Sequence, residues 1–201
     1  VDLEPWDEQL VLHGEQVFRV RATFMEELVP LLATHYQGIS SGGEEVALTY
    51  RSALAEGGYR DLLVESWQRD RAAQFTNVGI HKDDLLFTLN GQPLKRCGSQ
   101  GQQKTYLIAL KLAQFDLTLA RGGKRPILLL DDIFDKIDPQ RMRHLLQLLS
   151  GQRFGQVLIT DTDAQRLHKA LDGMELDVRF FHLGPDSTIT REEKNERAIA
   201  T

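Results

Sequence analysis

The chain has 201 residues, of which 41% are hydrophobic and 26% are charged, so it can form one globular domain with an appendage. Its formal net charge of −5 argues against binding to nucleic acid through bulk charge alone. Cys97 is the only cysteine, which excludes an intrachain disulfide and suits a cytoplasmic protein. The sequence also contains neither a signal peptide nor an apolar run long enough to span a bilayer.

The first part of the chain predicts two helices and one strand. In the first helix, apolar residues recur every three or four positions, at Trp6, Leu10, Val17, Val20, Phe24, Leu28 and Leu31. Pro30 is expected to kink or end this helix near Val29. The following predicted elements are a turn over 38–43, a strand over 45–50 and a helix over 59–72. The character of the chain changes near Thr76, which predicts a boundary between residues 1–76 and residues 77–201.

Beyond the boundary, strands and helices alternate, which predicts an α/β fold with a parallel sheet. The predicted strands are 85–89, 127–130 and 156–160, with an antiparallel edge formed by 178–183 and 187–190. The predicted helices are 100–120, a segment between Asp138 and Gly151, and 164–171. Asn90-Gly91 predicts a hairpin. The wholly apolar run 127–130 predicts a strand that is covered on both faces of the sheet.

Two adjacent carboxylates, Asp131 and Asp132, follow the apolar run 127–130. Open α/β sheets bind ligands at the carboxyl ends of their strands, so both acids are candidate site residues. Asp131 can hold Mg²⁺ through water, and Asp132 can orient or deprotonate an attacking water. A helix cap combined with a salt bridge would use the same residue types, so the pattern alone leaves both interpretations open.

A glycine-centred polar loop, Gly98–Gln102, opens the helix predicted over 100–120. A helix start presents free N–H groups and the positive end of the helix dipole to anions. The glycines at 98 and 101 would let the backbone approach a phosphate closely, and Ser99 offers a hydroxyl donor. Ordinary helix capping by Ser99 is the alternative.

Two further segments lie beside these motifs. Residues 134–138 connect the paired acids to a helix cap. The strand predicted over 156–160 again ends in acids, Asp161 and Asp163. These acids could sense a γ-phosphate, hold a metal or simply cap the next helix.

The segments SQGQQK, PILLLDDIFDKID and QVLIT resemble the ABC-type ATPase heads of the SMC-like class. Within that class, WDEQL, GIHKDD, NGQ and ALKLAQ are similar to the RecF family of bacterial DNA replication and repair proteins. The resemblance extends from about Trp6 to Thr162. It implies the C-terminal part of an ABC-type head, with a mostly parallel sheet and flanking helices, in residues 77–201. Residues 1–76 would form part of a helical arm domain.

The resemblance implies a role for each matched residue. The signature, which would bind the γ-phosphate of a nucleotide held by a second subunit, comprises Ser99, Gln100, Gly101 and Gln102. Asp131 would hold Mg²⁺, and Asp132 would be the catalytic residue that positions water. Asp135 and Asp138 would bound the D-loop, and Asp161 would stand at the switch position.

The chain departs from the class at several points. It has no G-x-x-x-x-G-K-[ST] phosphate-binding loop, so we expect it to be part of a longer protein and inactive as an ATPase by itself. Gln100 replaces the first glycine of the S-G-G-Q signature, and Asp161 occupies the place of a histidine. Asp132 replaces the usual glutamate and is one methylene shorter, so we expect slow turnover of ATP in the complete protein.

For the complete protein, the resemblance implies ATP and Mg²⁺ as cofactors and an ATP-dependent homodimer. That dimer would bind DNA at gaps or at junctions of single- and double-stranded DNA. With RecO and RecR as partners it would help to load RecA, in recombinational repair, replication restart and the SOS response. No membrane partner is implied.

Two other functions stay open on the sequence. A metal-dependent phosphoesterase or nuclease would cluster carboxylates around two ions, using Asp131, Asp132, Asp161 and Asp163. That function leaves SQGQQ without a role. The other is a non-catalytic adaptor or DNA-clamp module.

Overall fold

The structure is a computed structural model that describes residues 4–151, 153–174, 176–186 and 188–194. The α-helices in these ranges are α1 (Glu4–Ser40), α2 (Tyr59–Ala73), α3 (Leu94–Cys97), α4 (Gln100–Gly122), α5 (Pro139–Leu149) and α6 (Ala164–Leu171). The strands are β1 (Val46–Arg51), β2 (Asp84–Leu89), β3 (Gln92–Pro93), β4 (Leu128–Leu130), β5 (Val157–Ile159), β6 (Arg179–Leu183) and β7 (Ile189–Lys194). A 3₁₀ turn at Ala53–Ala55 precedes α2.

The strands form small sheets that confirm the predicted α/β class. β4 and β5 are parallel, with Leu128 opposite Val157, as the alternation of strands and helices predicts. β1, β2 and β3 form an antiparallel sheet, and the β2–β3 hairpin turns at Asn90 and Gly91, whose φ angles are 50° and 72°. β6 and β7 form the predicted antiparallel pair, although Ser187 lies outside the described residues.

The first helix is longer than predicted. The expectation that Pro30 ends α1 near Val29 is wrong, because α1 continues through Pro30 to Ser40, whereas a kink at Pro30 stays a prediction. Proline removes one backbone donor from the helix ladder. Downstream, the helix buries Leu32, Tyr36 and Ile39, which are at most 1% exposed, and this burial outweighs the loss of one bond.

The buried face of α1 also differs from the predicted stripe. Trp6 and Val20, which the spacing placed on the buried face, are 69% and 65% exposed. The helix packs on α4 and α5 mainly through its second half, where Met25 and Leu28 belong to the main core. Periodicity identified the helix, but the neighbours that α1 meets decide which stripe is buried.

The strand β4 is covered on one face only in the described part of the chain. Leu128 and Leu130 belong to the core, whereas Ile127 and Leu129 are 59% and 68% exposed. The neighbouring Leu158 of β5 is also exposed. The prediction that both faces are covered is therefore wrong for this chain.

The predicted boundary near Thr76 falls between α2 and β2. β1, from the first part, pairs with β2, from the second part, over Val46–Arg51 and Asp84–Leu89. The second half of α1 shares one core with α4 and α5. The division into residues 1–76 and 77–201 stays a prediction, and one sheet spans it.

A buried histidine joins α1 to α4. His35 is 2% exposed, and its Nε2 lies 2.7 Å from Asp116 Oδ2. Arg153 Nη1 lies 3.5 Å from the same carboxylate oxygen. Burial lowers the pKa of His35 by more than the neighbouring Asp116 raises it, so the histidine is held in its neutral form.

This lowered pKa predicts a pH-dependent stability. Between the folded pKa of His35 and its unfolded value of about 6.5, the unfolded chain binds more protons, so the free energy of unfolding rises with pH. The gain is complete above the unfolded value and is limited to about 1.4 kcal/mol per pH unit for one group. Urea unfolding between pH 5 and pH 7.5 should show a steeper pH dependence in the wild type than in His35→Gln. The matched variant of exposed His13, His13→Gln, should keep the wild-type slope; equal slopes in the wild type and His35→Gln would contradict the prediction.

Candidate functional site

The N-terminal tip of α4 is ordered by a reciprocal capping box. Ser99 Oγ accepts from the Gln102 N–H at 3.2 Å, and Gln102 Oε1 accepts from the Ser99 N–H at 2.8 Å. The predicted capping by Ser99 is therefore confirmed. Because the hydroxyl oxygen accepts here, Ser99 can still donate its own proton. The N–H groups of Gln100 and Gly101 have no hydrogen-bond partner among the described residues and can bind an anion.

The paired acids follow β4, as predicted, and both are exposed. The Thr160 hydroxyl donates to Asp131 Oδ1, and Thr160 Oγ1 accepts from the Asp132 N–H at 3.0 Å. Thr160, at the end of β5, therefore fixes the backbone and one carboxylate at the end of β4. Asp132 has a φ of 46°, in the left-handed region.

The α4 tip and the segment after the paired acids lie against each other. Lys104, one turn into α4, donates from Nζ to the Asp132 carbonyl at 2.6 Å. A Cβ atom added to Gly101 would lie 2.9 Å from the Lys136 carbonyl oxygen, so this contact requires glycine at position 101. Gly101 of the predicted signature is therefore needed for this packing contact, in addition to its predicted role in ligand binding.

A cleft of about 490 Å³ opens at this contact. Its lining consists of Ser99, Gln100, Gly101, Gln102, Lys136, Asp138 and Arg141. The cleft joins the predicted signature to the predicted D-loop. Asp138 caps α5 through Oδ1, which accepts from the Gln140 and Arg141 N–H groups at 3.1 and 3.0 Å. Asp135 pairs with Lys136 at 3.5 Å.

Asp161 is held away from solvent. Its side chain is fully buried, and Oδ1 accepts from Arg166 Nη2 at 2.6 Å and from the Asp163 N–H at 2.7 Å. Asp163 in turn caps α6 by accepting from the Arg166 N–H. A buried carboxylate repels phosphate, so a switch role for Asp161 would have to act through Arg166, which also donates to the Phe134 carbonyl. That role stays a prediction.

The predicted residues fall into two groups. The four signature residues and Asp138 of the predicted D-loop line one cleft, which does not include Asp135, and Lys104 connects the α4 tip to the backbone at Asp132. Asp131 suits Mg²⁺, since its exposed carboxylate supplies oxygen ligands and only Oδ1 is used by Thr160. Within the described ranges, no three His, Cys, Asp or Glu side chains converge as a metal-binding group.

Several residues at the site were not found from the sequence. Lys104 appears in the sequence only as the last residue of SQGQQK, and Thr160 only as the end of a predicted strand. Arg141, Arg166 and Glu44, which binds Arg141 and Gln102, carry no motif. Only their contacts identify them. None of the helices in the described ranges combines the length and the apolar character needed to cross a bilayer.

Comparison with known proteins gives strong matches. The chain is 45% identical over 192 residues to the DNA replication and repair protein RecF of Phocaeicola vulgatus. The aligned region covers 95% of this chain and 52% of the relative. The chain is 43% identical over 189 residues to RecF of Bacteroides fragilis, and this alignment covers 94% and 51%. The chain thus spans about half the length of these curated relatives. No protein-family model matches it.

Solved structures agree. A structure described as the recombination mediator protein RecF-ATP in the RecFOR pathway superposes with a TM-score of 0.66 at 28% identity, over 81% of this chain and 45% of that one. A RecF-ATPrS structure gives a TM-score of 0.65 at 27% identity, with the same coverage. The fold is therefore part of an ABC-type ATPase head of the SMC-like class, as predicted. Within that class, the chain belongs to the RecF family and matches about half of a member's length.

Proposed function

We propose that this chain supplies the signature, the paired acids Asp131 and Asp132, and the D-loop of a RecF-type ATPase that dimerises around ATP in DNA replication and repair. The observation that carries the proposal is the direct contact between two motifs. The α4 tip, with free N–H groups at Gln100 and Gly101, touches the segment that follows Asp131 and Asp132. Relatives named DNA replication and repair protein RecF and neighbours described as RecF-ATP support it.

In this proposal the signature Ser99–Gln102 and the paired acids Asp131 and Asp132 act on different nucleotides. Ser99 and the free N–H groups of the signature bind the γ-phosphate of ATP held by the partner subunit. Asp132, exposed beside Asp131, positions the water that attacks the nucleotide of its own subunit. Asp131 would hold Mg²⁺, which would neutralise phosphate charge when bound. The γ-phosphate then holds two subunits together, and hydrolysis releases them.

The finer parts of the proposal concern the whole protein. They are an ATP-dependent homodimer on gapped or junction DNA, action with RecO and RecR to load RecA, and a contribution to replication restart and the SOS response in the cytoplasm. The name and pathway of the relatives support this assignment. The alternative metal-dependent nuclease gains no support, because Asp161 is buried against Arg166 and Asp163 caps α6.

We expect this chain to bind ATP weakly by itself, because its sequence contains no phosphate-binding loop, and yet to associate with a full-length RecF-type protein that carries ATP. Isothermal calorimetry with ATP measures the first, and sedimentation of the mixture with and without ATP measures the second. In the sedimentation experiment, a non-hydrolysable ATP analogue and ADP serve as the matched pair of ligands. Micromolar ATP binding by the chain alone, or association that ignores the nucleotide, would contradict the proposal.

A further inference from the structure

One carboxylate outside every sequence motif connects the α4 tip to two other elements. Glu44 lies in the turn between α1 and β1, and its side chain is 16% exposed. Glu44 Oε1 accepts from the Gln102 amide at 2.6 Å, and Oε2 accepts from the Tyr36 hydroxyl at 2.7 Å. Arg141 Nη2 donates to both oxygens at 3.0 Å. Glu44 therefore joins the end of α1, the start of α4 and the first turn of α5.

Glu44 decides which way the Gln102 amide faces. A carboxylate only accepts, so the amide nitrogen must point to Glu44 and the amide oxygen to the Ser99 N–H. That oxygen is one half of the capping box that orders the tip. The direction of the Ser99 hydroxyl and of the free N–H groups at Gln100 and Gly101 follows from the box. Without Glu44, the Gln102 amide loses the partner that holds it.

Glu44 also holds the wall of the cleft. Arg141 lines the cleft, is 17% exposed, and donates to Thr105 Oγ1 at 3.3 Å while its Nε lies 3.2 Å from Asp138 Oδ2. Burial raises the pKa of Glu44, but its hydrogen bonds from Gln102 and its other partners outweigh burial and hold the pKa below its usual range. Glu44 is therefore ionised at neutral pH and balances Arg141.

We propose that Glu44 is a positioning residue, which acts through Gln102 to preset the signature Ser99–Gln102 for its anion and to couple it to the end of α1. This inference rests on the proposed function, in which the signature binds ATP held by a partner subunit. Glu44 itself does not line the cleft. If the Glu44–Arg141 ion pair only stabilised the fold, its loss would lower the free energy of unfolding and would have no selective effect on the α4 tip.

The chain offers a matched control in Asp116. Its side chain is 17% exposed and it also joins α1 to α4, through His35, but it has no contact with the tip. Amide hydrogen exchange in this chain should rise at Ser99 and Gln102 in Glu44→Gln, and should stay at the wild-type level there in Asp116→Asn. Equal exchange at the tip in both variants would overturn the proposal.

The second measurement uses the full-length RecF-type protein. Because Glu44→Gln replaces a hydrogen bond to a charged group with a weaker neutral one, it is expected to weaken ATP-dependent dimerisation about tenfold, with ATP binding by the monomer unchanged. Gln102→Met removes both the link to Glu44 and the amide oxygen that accepts from the Ser99 N–H, but it leaves Glu44 paired with Arg141, so it should weaken dimerisation at least as much. The double variant should be no worse than Gln102→Met alone, because Glu44 acts on the tip through Gln102. Asp116→Asn should dimerise like the wild type.

The outcomes separate this inference from the proposed function. If Ser99→Arg abolishes ATP-dependent dimerisation but folded Glu44→Gln dimerises like the wild type, Glu44 is not a positioning residue and the proposed function stands. If Ser99→Arg has no effect, the proposed function itself fails. Fully additive effects of Glu44→Gln and Gln102→Met would also overturn the inference, since they would act by separate routes.

Discussion

Replacing Ser99 with arginine in the full-length RecF-type protein is expected to abolish ATP-dependent dimerisation and to leave ATP binding by the monomer intact. The substitution removes the hydroxyl that accepts from the Gln102 N–H at 3.2 Å, and it places a long side chain at the mouth of the cleft. In the proposed dimer, the partner's triphosphate meets the protein at this surface. In the same proposal the monomer's own nucleotide would bind beside Asp131 and Asp132, so its affinity should not change.

Analytical ultracentrifugation with and without ATP measures the dimer, and calorimetry measures nucleotide binding. Ser99→Ala is the matched control for the lost cap, since it removes the hydroxyl without adding bulk. Loss of an N-cap costs about 1 kcal/mol of stability, so Ser99→Ala should dimerise more weakly than the wild type but far better than Ser99→Arg. A Ser99→Arg protein that dimerises normally, or one that no longer binds ATP as a monomer, would refute the assignment of the signature.

Local signals account for the parts of the fold that the sequence predicts well. Asp138-Pro139 combines a side-chain cap with proline at the first helical position, and α5 begins there. Asn90-Gly91 needs positive φ angles at both residues, and the β2–β3 turn has them. Ser99 and Gln102 have the spacing of a capping box, and the box is present. In the first two cases neighbouring residues contain the whole physical cause, whereas the capping box is also held by the distant Glu44.

The failures have causes that lie far apart in the chain. Pro30 weakens α1 locally, but packing on α4 and α5, which lie more than 60 residues later, keeps the helix intact. The apolar character of Leu129 predicts a covered strand, but it cannot say which segment does the covering. Glu44 stands in an unremarkable turn, and its partner Arg141 is 97 residues away. No periodicity or motif links such residues, so only the structure brings them together.

The candidate site shows the same difference between features with local causes and features that depend on distant residues. The sequence located the acids at the end of β4 and the polar tip of α4, because each motif is short and continuous. It could not show that Lys104 connects the two through the Asp132 carbonyl. It left open whether Asp161 senses a γ-phosphate, holds a metal or caps a helix, and it could not show that Asp161 pairs with Arg166. Motifs identify which residues carry chemistry, and contacts decide how those residues are held.

Asp132→Asn in the full-length protein is expected to slow ATP hydrolysis by about 100-fold or more and to prolong the life of the ATP-bound dimer. The structure makes this a clean substitution. Asp132 has a φ of 46°, which asparagine tolerates well, and its structural bonds use only its N–H and carbonyl groups. The exposed carboxylate is therefore free for chemistry, and removing its charge should leave the fold unchanged. Phosphate release and the rate of dimer dissociation after ATP is diluted measure the two effects.

The matched variant is Asp131→Asn, one residue earlier, whose carboxylate is held by the Thr160 hydroxyl. If Asp131 holds Mg²⁺, this variant should weaken Mg²⁺-dependent nucleotide binding and so reduce dimer formation, whereas Asp132→Asn should bind ATP normally and accumulate dimer. The two adjacent acids thus give opposite effects on the amount of dimer, which a general loss of stability cannot produce. If Asp132→Asn loses ATP binding outright, Asp132 is a ligand-binding residue and does not position the water.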